Sequence, residues 1–196
     1  MSKEAEFKQF NRNFPHFSDL NPEIVFSLLQ KGNFKFYKRN EILIRPGEVD
    51  KNLSLIINGL VRAFYLIEGE EKTIYFRHEF TAIGCYESLF LNQPNSQFFQ
   101  AIEDTQVLTI PFVHIERLEK EDLEFAYAIN QRIKQLLVLA LQKIERHIFY
   151  NAEEHYKILM KERPDLIQRV PQKYLASFLG IAPESLSRIR ARMTKE

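Results

Sequence analysis

The sequence predicts an α+β fold in which an antiparallel, jelly-roll-like β-roll comes first, a long helix follows, and a helix-turn-helix ends the chain. Three observations predict this order. Five of the six glycines lie before residue 85, residues 112–163 contain neither Gly nor Pro, and two short helical patterns flank Gly180. With 196 residues, of which 45% are hydrophobic, the chain can bury a substantial core as one large domain or two small ones.

The glycines of the N-terminal half separate short runs that are rich in β-branched and aromatic residues. Apolar and polar residues alternate most clearly in residues 72–77 and 106–110, as a half-buried strand requires. Short strands with regular turns are typical of an antiparallel barrel or roll. We therefore predict strands at residues 33–37, 41–45, 53–57, 60–67, 72–77, 96–102 and 106–110.

Residues 112–163 are dense in good helix formers, so this segment is predicted to be helical. Its apolar residues recur at spacings of three and four and make a seam of about five turns. A second apolar row is formed by Leu137, Leu141 and Ile148. Two rows favour packing on the roll and on a second copy together, so we predict a parallel homodimer. The residues of the seam are Ile129, Ile133, Leu136, Ala140, Ile144 and His147.

The C-terminal segment predicts a helix-turn-helix. Gly180 supplies the permissive backbone of a tight turn, and Ala176 is small where two helices must cross closely. Pro183 can begin a helix, because its missing N–H costs nothing at the first position. Two apolar stripes at helical spacing surround the turn, Leu175, Ala176 and Leu179 before it and Leu186 and Ile189 after it.

The charge of this segment favours DNA as a partner. Residues 165–196 contain six Lys or Arg against three acidic residues, a local net charge of +3 in a chain whose total is +1. An ordinary helical hairpin is less favoured, because a solvated face usually mixes both signs. The second helix of a helix-turn-helix enters a major groove. The predicted DNA-binding residues are Lys173, Glu184, Ser185, Ser187, Arg188 and Arg192.

In this order and at this length, the three parts resemble the Crp/Fnr family of bacterial transcription regulators. Residues 184–188, Glu-Ser-Leu-Ser-Arg, match the family's recognition-helix motif Glu-x-x-Ser-Arg, and residues 175–180 match the Leu-Ala-x-x-Leu-Gly stretch before it. Supporting matches are Asn-Gly-Leu-Val-Arg at residues 58–62 and Pro-Gly-Glu at residues 46–48. The resemblance covers nearly the whole chain.

The resemblance implies three domains. Residues 1–117 would form an effector or sensor domain of the cyclic-nucleotide-binding-domain type with an N-terminal helix. Residues 118–150 would form the dimerisation helix, and residues 151–196 a helical, winged-type DNA-binding domain. Double-stranded DNA, a second copy of the chain and RNA polymerase are the implied partners.

The resemblance also assigns roles to side chains of the recognition helix. Glu184 would accept a hydrogen bond from a cytosine amino group, Arg188 would pair with guanine, and Ser187 would contact a neighbouring base or a phosphate. The chemistry agrees independently, since a carboxylate suits cytosine N4 and a guanidinium donates two bonds to guanine O6 and N7.

The sensor half departs from the family's cyclic-nucleotide pattern. Where such members carry Gly-Glu and Arg-Ser or Arg-Thr, this sequence reads Gly84-Cys85 and Asn95-Ser96. Asn cannot give the charge-assisted bonds of an arginine, so tight binding of cyclic AMP is not expected. No effector is identified, and a vestigial pocket without ligand stays an alternative. The candidate effector pocket consists of Gly84, Cys85, Glu87, Asn95 and Ser96.

Enzyme and metal sites are not predicted. A single cysteine excludes an intrachain disulfide and a multi-thiolate metal site, and the sequence has no phosphate-cradling loop or nucleophile elbow. The histidines show no His-x-His and no i, i+4 pair. We therefore expect a protein that is not an enzyme and carries no cofactor. These scattered histidines are His16, His78, His114, His147 and His155.

The sequence contains no secretory signal, and its longest apolar run, residues 136–141, is too short to span a bilayer. We expect a cytoplasmic protein without a membrane partner. The alternative function belongs to another class, a small-molecule sensor or regulatory subunit that uses the β-roll while its C-terminal helices serve as an interaction module.

Overall fold

The computed structural model describes residues 21–193. The first helix, α1 (Pro22–Gln30), precedes the roll, and the short helix α2 (Tyr86–Leu91) lies between β6 and β7. The strands of the roll are β1 (Asn33–Tyr37), β2 (Ile42–Ile44), β3 (Asn52–Asn58), β4 (Leu60–Ile67), β5 (Glu70–His78), β6 (Ala82–Ile83), β7 (Phe98–Ala101) and β8 (Thr105–Pro111).

The eight strands form two four-stranded sheets with orders β1-β8-β3-β6 and β2-β7-β4-β5. In the first sheet β8 pairs antiparallel with β1 and β3, and Leu108 lies opposite Phe34 and Leu55. All seven predicted strands are observed, and β1 and β4 have the predicted bounds. The strand β6 was not predicted, because two residues are too short to show alternation.

A buried apolar cluster packs helices against the first sheet of the roll. It joins α1 to β3 and β8, and it includes residues of α2 and of the helices that follow β8. The members of this cluster are Val25, Leu28, Leu55, Leu89, Leu108, Ile110, Phe112, Ile115 and Phe125.

The predicted helical segment contains three helices, α3 (Phe112–Glu121), α4 (Leu123–Phe149) and α5 (Ala152–Glu162). The first break lies at Asp122, whose backbone is extended and whose Oδ1 accepts a bond from Phe125 N–H at 2.8 Å. The second break lies at Asn151, which forms a capping box with Glu154. Side-chain caps therefore start new helices where neither Gly nor Pro is present.

The remaining helices are α6 (Pro164–Arg169), α7 (Gln172–Phe178) and α8 (Pro183–Met193). Pro164 stands in the first turn of α6, as its missing N–H allows. Between Phe112 and Met193 the chain is helical without a wing strand.

The packing divides the chain into two compact units. The first contains residues 21–62 together with Phe76–Leu136, and the second contains Ala63–Tyr75 together with residues 137–193. The second unit therefore holds the turn of the β4–β5 hairpin as well as the C-terminal helices.

Candidate nucleic-acid interface

Helices α7 and α8 form the predicted helix-turn-helix. Gly180 has φ +71°, a left-handed conformation, and its N–H bonds to Ser177 O at 3.2 Å. The Ile181 N–H bonds back to Ala176 O at 3.1 Å, and Gln172 Nε2 donates to Pro183 O at 2.9 Å. The turn is thus closed by backbone bonds and by one side chain that joins the two helices.

The two predicted apolar stripes form the core of this helix pair. Leu175, Ala176 and Leu186 are fully buried, while Leu179 and Ile189 are less than a tenth exposed. Because Leu186 and Ile189 face inward, the other side of α8 is directed to solvent.

The predicted DNA-binding residues lie on this outer side or at the start of α7. Glu184, Ser187 and Arg188 are exposed, and Ser185 is half-buried. Glu184 and Arg188 are four positions apart and therefore share one helix face. Lys173 is exposed on α7, with Nζ 4.7 Å from the centre of the Tyr174 ring.

Two arginines of α8 have partners on α5. Arg192 forms an ion pair with Glu153, which also binds Lys157 at 3.1 Å. The hydrogen bonds from Arg192 and Lys157 hold the pKa of Glu153 below its ordinary value. An exposed pair of this kind contributes little to stability, so Arg192 can leave Glu153 for another anion at little cost.

Arg190, by contrast, contacts another helix of the protein. Its Nε donates to the Tyr156 hydroxyl at 2.9 Å, and its guanidinium lies 5.6 Å from the centre of the Tyr156 ring. One of the six basic residues of the C-terminal segment therefore joins α8 to α5.

The structure brings together two histidines that the sequence left apart. The rings of His147 on α4 and His155 on α5 are 5.6 Å apart, and Phe178 lies 5.6 Å from His155. No spacing rule could find this pair, because its members lie on different helices. Among residues 21–193 no group of three or more His, Cys, Asp or Glu is arranged to hold a metal ion.

His155 makes the stability of the C-terminal unit depend on pH. Burial lowers the pKa of His155 from its ordinary value of 6.5, and the charges of His147, Arg146 and Lys143 lower it further. As pH falls, the His155 side chain therefore takes up a proton at a higher pH in the unfolded chain than in the folded one. The stability that the neutral imidazole contributes is present above pH 6.5, and it is lost as pH falls through the lowered pKa of the folded state.

We expect the urea midpoint to fall between about pH 7.5 and about pH 5.5, and to fall less in His155→Gln than in the wild type. Urea titrations at both pH values test this. His114→Gln, which removes an imidazole from α3, should keep the wild-type pH dependence. The same dependence in His155→Gln as in the wild type would contradict the assignment.

Helix α4 presents a long apolar surface. Ile129 packs against the buried cluster between the helices and the first sheet, and Leu136 is half-buried. Of the predicted seam, Ile133, Ala140 and Ile144 are exposed. Together with the second predicted row they make a stripe on one helix face that includes Ile133, Leu137, Leu141, Ile144 and Ile148, each 45–69% exposed.

The candidate effector residues do not form a recognisable ligand site. Asn95 is buried, its Nδ2 donates to Arg45 O and Gln97 O, and its Oδ1 accepts from Gln97 N–H at 2.9 Å. Burial raises the pKa of the Cys85 thiol to about 12, so it stays neutral. Gly84 is buried, Glu87 is half-buried and Ser96 is exposed.

A cavity of about 210 Å³ lies elsewhere in the roll, between β1, β3, β8 and the β2–β3 connection. None of the five candidate effector residues lines it. Its lining combines charged, polar and apolar residues, namely Lys35, Tyr37, Leu43, Ile44, Glu48, Val49, Asp50, Asn52, Ser54, Ile83, Val107 and Thr109.

Comparison with known proteins agrees with this architecture. The family model of the cyclic nucleotide-binding domain matches residues 34–122. No curated protein matches the chain. Within residues 21–193, no helix is long and apolar enough to cross a membrane.

Several solved structures share the fold. The catabolite activator protein of Thermus thermophilus is 22% identical, with 92% of this chain and 87% of that chain covered and a TM-score of 0.57. The c-di-GMP-responsive global regulator CLP of Xanthomonas campestris is 16% identical, with 89% and 92% covered and a TM-score of 0.70. FixK2 of Bradyrhizobium japonicum is 16% identical, with 84% and 85% covered and a TM-score of 0.69. Residues 34–122 are thus similar to the cyclic nucleotide-binding domain, and the chain shares the fold of solved Crp/Fnr-family transcription regulators.

Proposed function

We propose that the protein is a sequence-specific DNA-binding transcription regulator that acts as a homodimer on palindromic sites. The observation that carries this proposal is the construction of α8. Its inner face is fixed by the buried Leu186 and Ile189, and Glu184 and Arg188 are exposed together on its outer face. A recognition helix needs this combination of a rigid base and free polar side chains.

The side chains of α8 suit base edges in a major groove. The Arg188 guanidinium can donate two bonds to guanine O6 and N7, and the Glu184 carboxylate can accept from cytosine N4. Ser187 would contact a neighbouring base or a phosphate. Lys173 and Arg192 would contact phosphates, which position the protein without reading sequence.

The apolar stripe of α4 supports the homodimer. Side chains such as Leu137 and Leu141 are more than half exposed, which is costly for a helix face in water. A second copy of the same stripe would cover it and place two α8 helices on one duplex, one helical turn apart.

Effector control is a further part of the proposal, and cyclic AMP is not the expected effector. At the position where cyclic-nucleotide-binding members carry arginine, the Asn95 amide is occupied by backbone groups. The neutral thiol of Cys85 stands where those members carry a carboxylate. Neither residue can supply the charged bonds that hold the cyclic phosphate and the ribose.

The direct test is selection of duplexes from a random library by the purified full chain, at stated salt and without added ligand. We expect a palindrome with half-sites about 10 base pairs apart. Parallel selections with cyclic AMP, c-di-GMP and a metabolite extract would reveal an effector requirement. If none of these selections recovers a specific site, the proposal is overturned and a regulatory subunit is favoured. If a site is recovered, contact of the bound protein with RNA polymerase can be tested next.

A further inference from the structure

The two faces of the first sheet differ in chemistry. Leu55 and Leu108 point to one face, where they belong to the buried apolar cluster. Their neighbours in β3 and β8, Ser54 and Thr109, lie opposite each other and point to the other face, because successive side chains of a strand alternate. The cavity of about 210 Å³ opens on this second face.

The floor of the cavity holds a hydrogen-bond donor that has no partner. Ser54 and Thr109 are each 7% exposed, and their hydroxyl oxygens are 3.0 Å apart. Each hydroxyl has one hydrogen, and only one of the two can lie between the oxygens. Among residues 21–193 the two hydroxyls have no other partner. A buried donor without a partner costs free energy, so the floor suits a molecule that carries an acceptor.

Two carboxylates of the β2–β3 connection also line the cavity. Glu48 is exposed and Asp50 is half-buried. Asp50 Oδ1 accepts from Asn52 N–H at 3.2 Å and from Asn52 Nδ2 at 2.6 Å, which leaves Oδ2 for another donor. Within the described part of the chain neither carboxylate forms an ion pair. An ammonium group would supply the missing positive partner.

Strand β1 adds donors for a negative group. Lys35 and Tyr37 both line the cavity, and they point to the same face because they are two positions apart on a strand. Burial raises the pKa of the Tyr37 hydroxyl, and the charges of Glu41 and Asp50 raise it further, so the hydroxyl stays a neutral donor. An ammonium and a hydroxyl side by side can both donate to one carboxylate.

We propose that this cavity binds a small neutral α-amino acid. The ligand ammonium would lie between Glu48 and Asp50, and its carboxylate would accept from Lys35 and from the Tyr37 hydroxyl. Its side chain would reach the floor. The cavity has the volume of about seven water molecules at ~30 Å³ each, and it is smaller than the roughly 300–1,000 Å³ of a drug-sized pocket. The site is separate from the candidate effector residues and does not rest on the proposed DNA-binding function.

Calorimetric titration of the full chain tests the proposal, with L-threonine as the probe. The threonine hydroxyl can accept the free hydrogen of the floor, whereas L-valine has the same shape and no acceptor, so it should bind about tenfold more weakly. Ser54→Ala combined with Thr109→Val should abolish this preference. Isopropanolamine is threonine without its carboxylate, and β-hydroxybutyrate is threonine without its ammonium. Each should bind at least about tenfold more weakly than threonine.

Substitutions at the charged groups locate the site. Lys35→Met and Asp50→Asn should each weaken threonine binding about tenfold or more. Asparagine at position 50 keeps an oxygen for the bonds from Asn52, so the β2–β3 connection should keep its conformation. Lys31→Met is the matched control, because Lys31 is exposed and does not line the cavity, and it should leave binding unchanged.

Three results would overturn the proposal. The first is the absence of binding by L-threonine and by every other neutral L-amino acid at about 10 mM. The second is binding of isopropanolamine as tight as that of threonine, since the cavity would then hold only a cation. The third is threonine binding that neither Lys35→Met nor Asp50→Asn weakens, since the amino acid would then lie elsewhere.

Discussion

Replacing Arg188 with Ala should cost about 1–3 kcal/mol of binding free energy per half-site, and roughly twice that for a homodimer on a palindrome. The reason is that a bidentate guanidinium contact with guanine is lost and no other side chain of the exposed face can replace it. Base preference should relax at one position of each half-site. Titration of duplexes in which each position is varied in turn measures both effects.

Lys173→Ala is the matched control for this experiment, because it removes a charge at the start of α7 and no predicted base contact. It should weaken binding to all duplexes alike. The slope of binding affinity against salt concentration should fall by the equivalent of about one phosphate contact per protomer. Arg188→Lys keeps the charge but loses the two-pronged geometry, so its base preference should resemble that of Arg188→Ala. An equal loss on specific and random duplexes for Arg188→Ala would show that this side chain does not read bases.

The local parts of the fold were predictable from the sequence for a physical reason. Strand bounds in the roll follow from glycine turns and from alternation, both of which act within a few residues. The helix-turn-helix was equally visible, since the five predicted core residues, Leu175, Ala176, Leu179, Leu186 and Ile189, are all buried. Glycine was informative at Gly180 because the turn requires a positive φ there.

The helix breaks in residues 112–163 were not predicted. The absence of Gly and Pro predicted helix, and it carried no information about where one helix ends and another begins. The signals were present as Asp122 and as Asn151 with Glu154, since these side chains accept bonds from the first free N–H groups of a helix. A capping box in Asn-x-x-Glu form can be found in sequence alone.

Contacts between distant segments could not be found in this way. Three contacts depend on how separate elements pack. They are the approach of His147 to His155, the bond of Arg190 to Tyr156, and the bond that the Ser177 hydroxyl accepts from Thr73 N–H. Their residue types are common, and their spacing in sequence has no period. For that reason the sequence assigned Arg190 only to the basic surface and did not assign Ser177 any role.

The second large effect is expected on α4, where Leu137→Glu combined with Leu141→Glu should convert the protein to a monomer. These two side chains are 59% and 51% exposed on the apolar stripe. Burying a leucine contributes about 1.5–3 kcal/mol, and a symmetric dimer would bury four of them. Since about half of each side chain is already buried in the monomer, the double variant should raise the dimer dissociation constant by roughly two orders of magnitude or more, as measured by analytical ultracentrifugation over a range of concentrations.

Leu139→Glu supplies the control for this variant, since Leu139 is 55% exposed but lies about 200° away from Leu137 around the helix. It introduces the same charge on the same helix and should leave the dimer intact. Because a monomer presents a single α8, the double variant should also lose most of its affinity for the palindrome and keep its weak binding to one half-site. A double variant that remains dimeric would show that the copies associate through another surface, and a wild type that is monomeric at micromolar concentration would refute the homodimer.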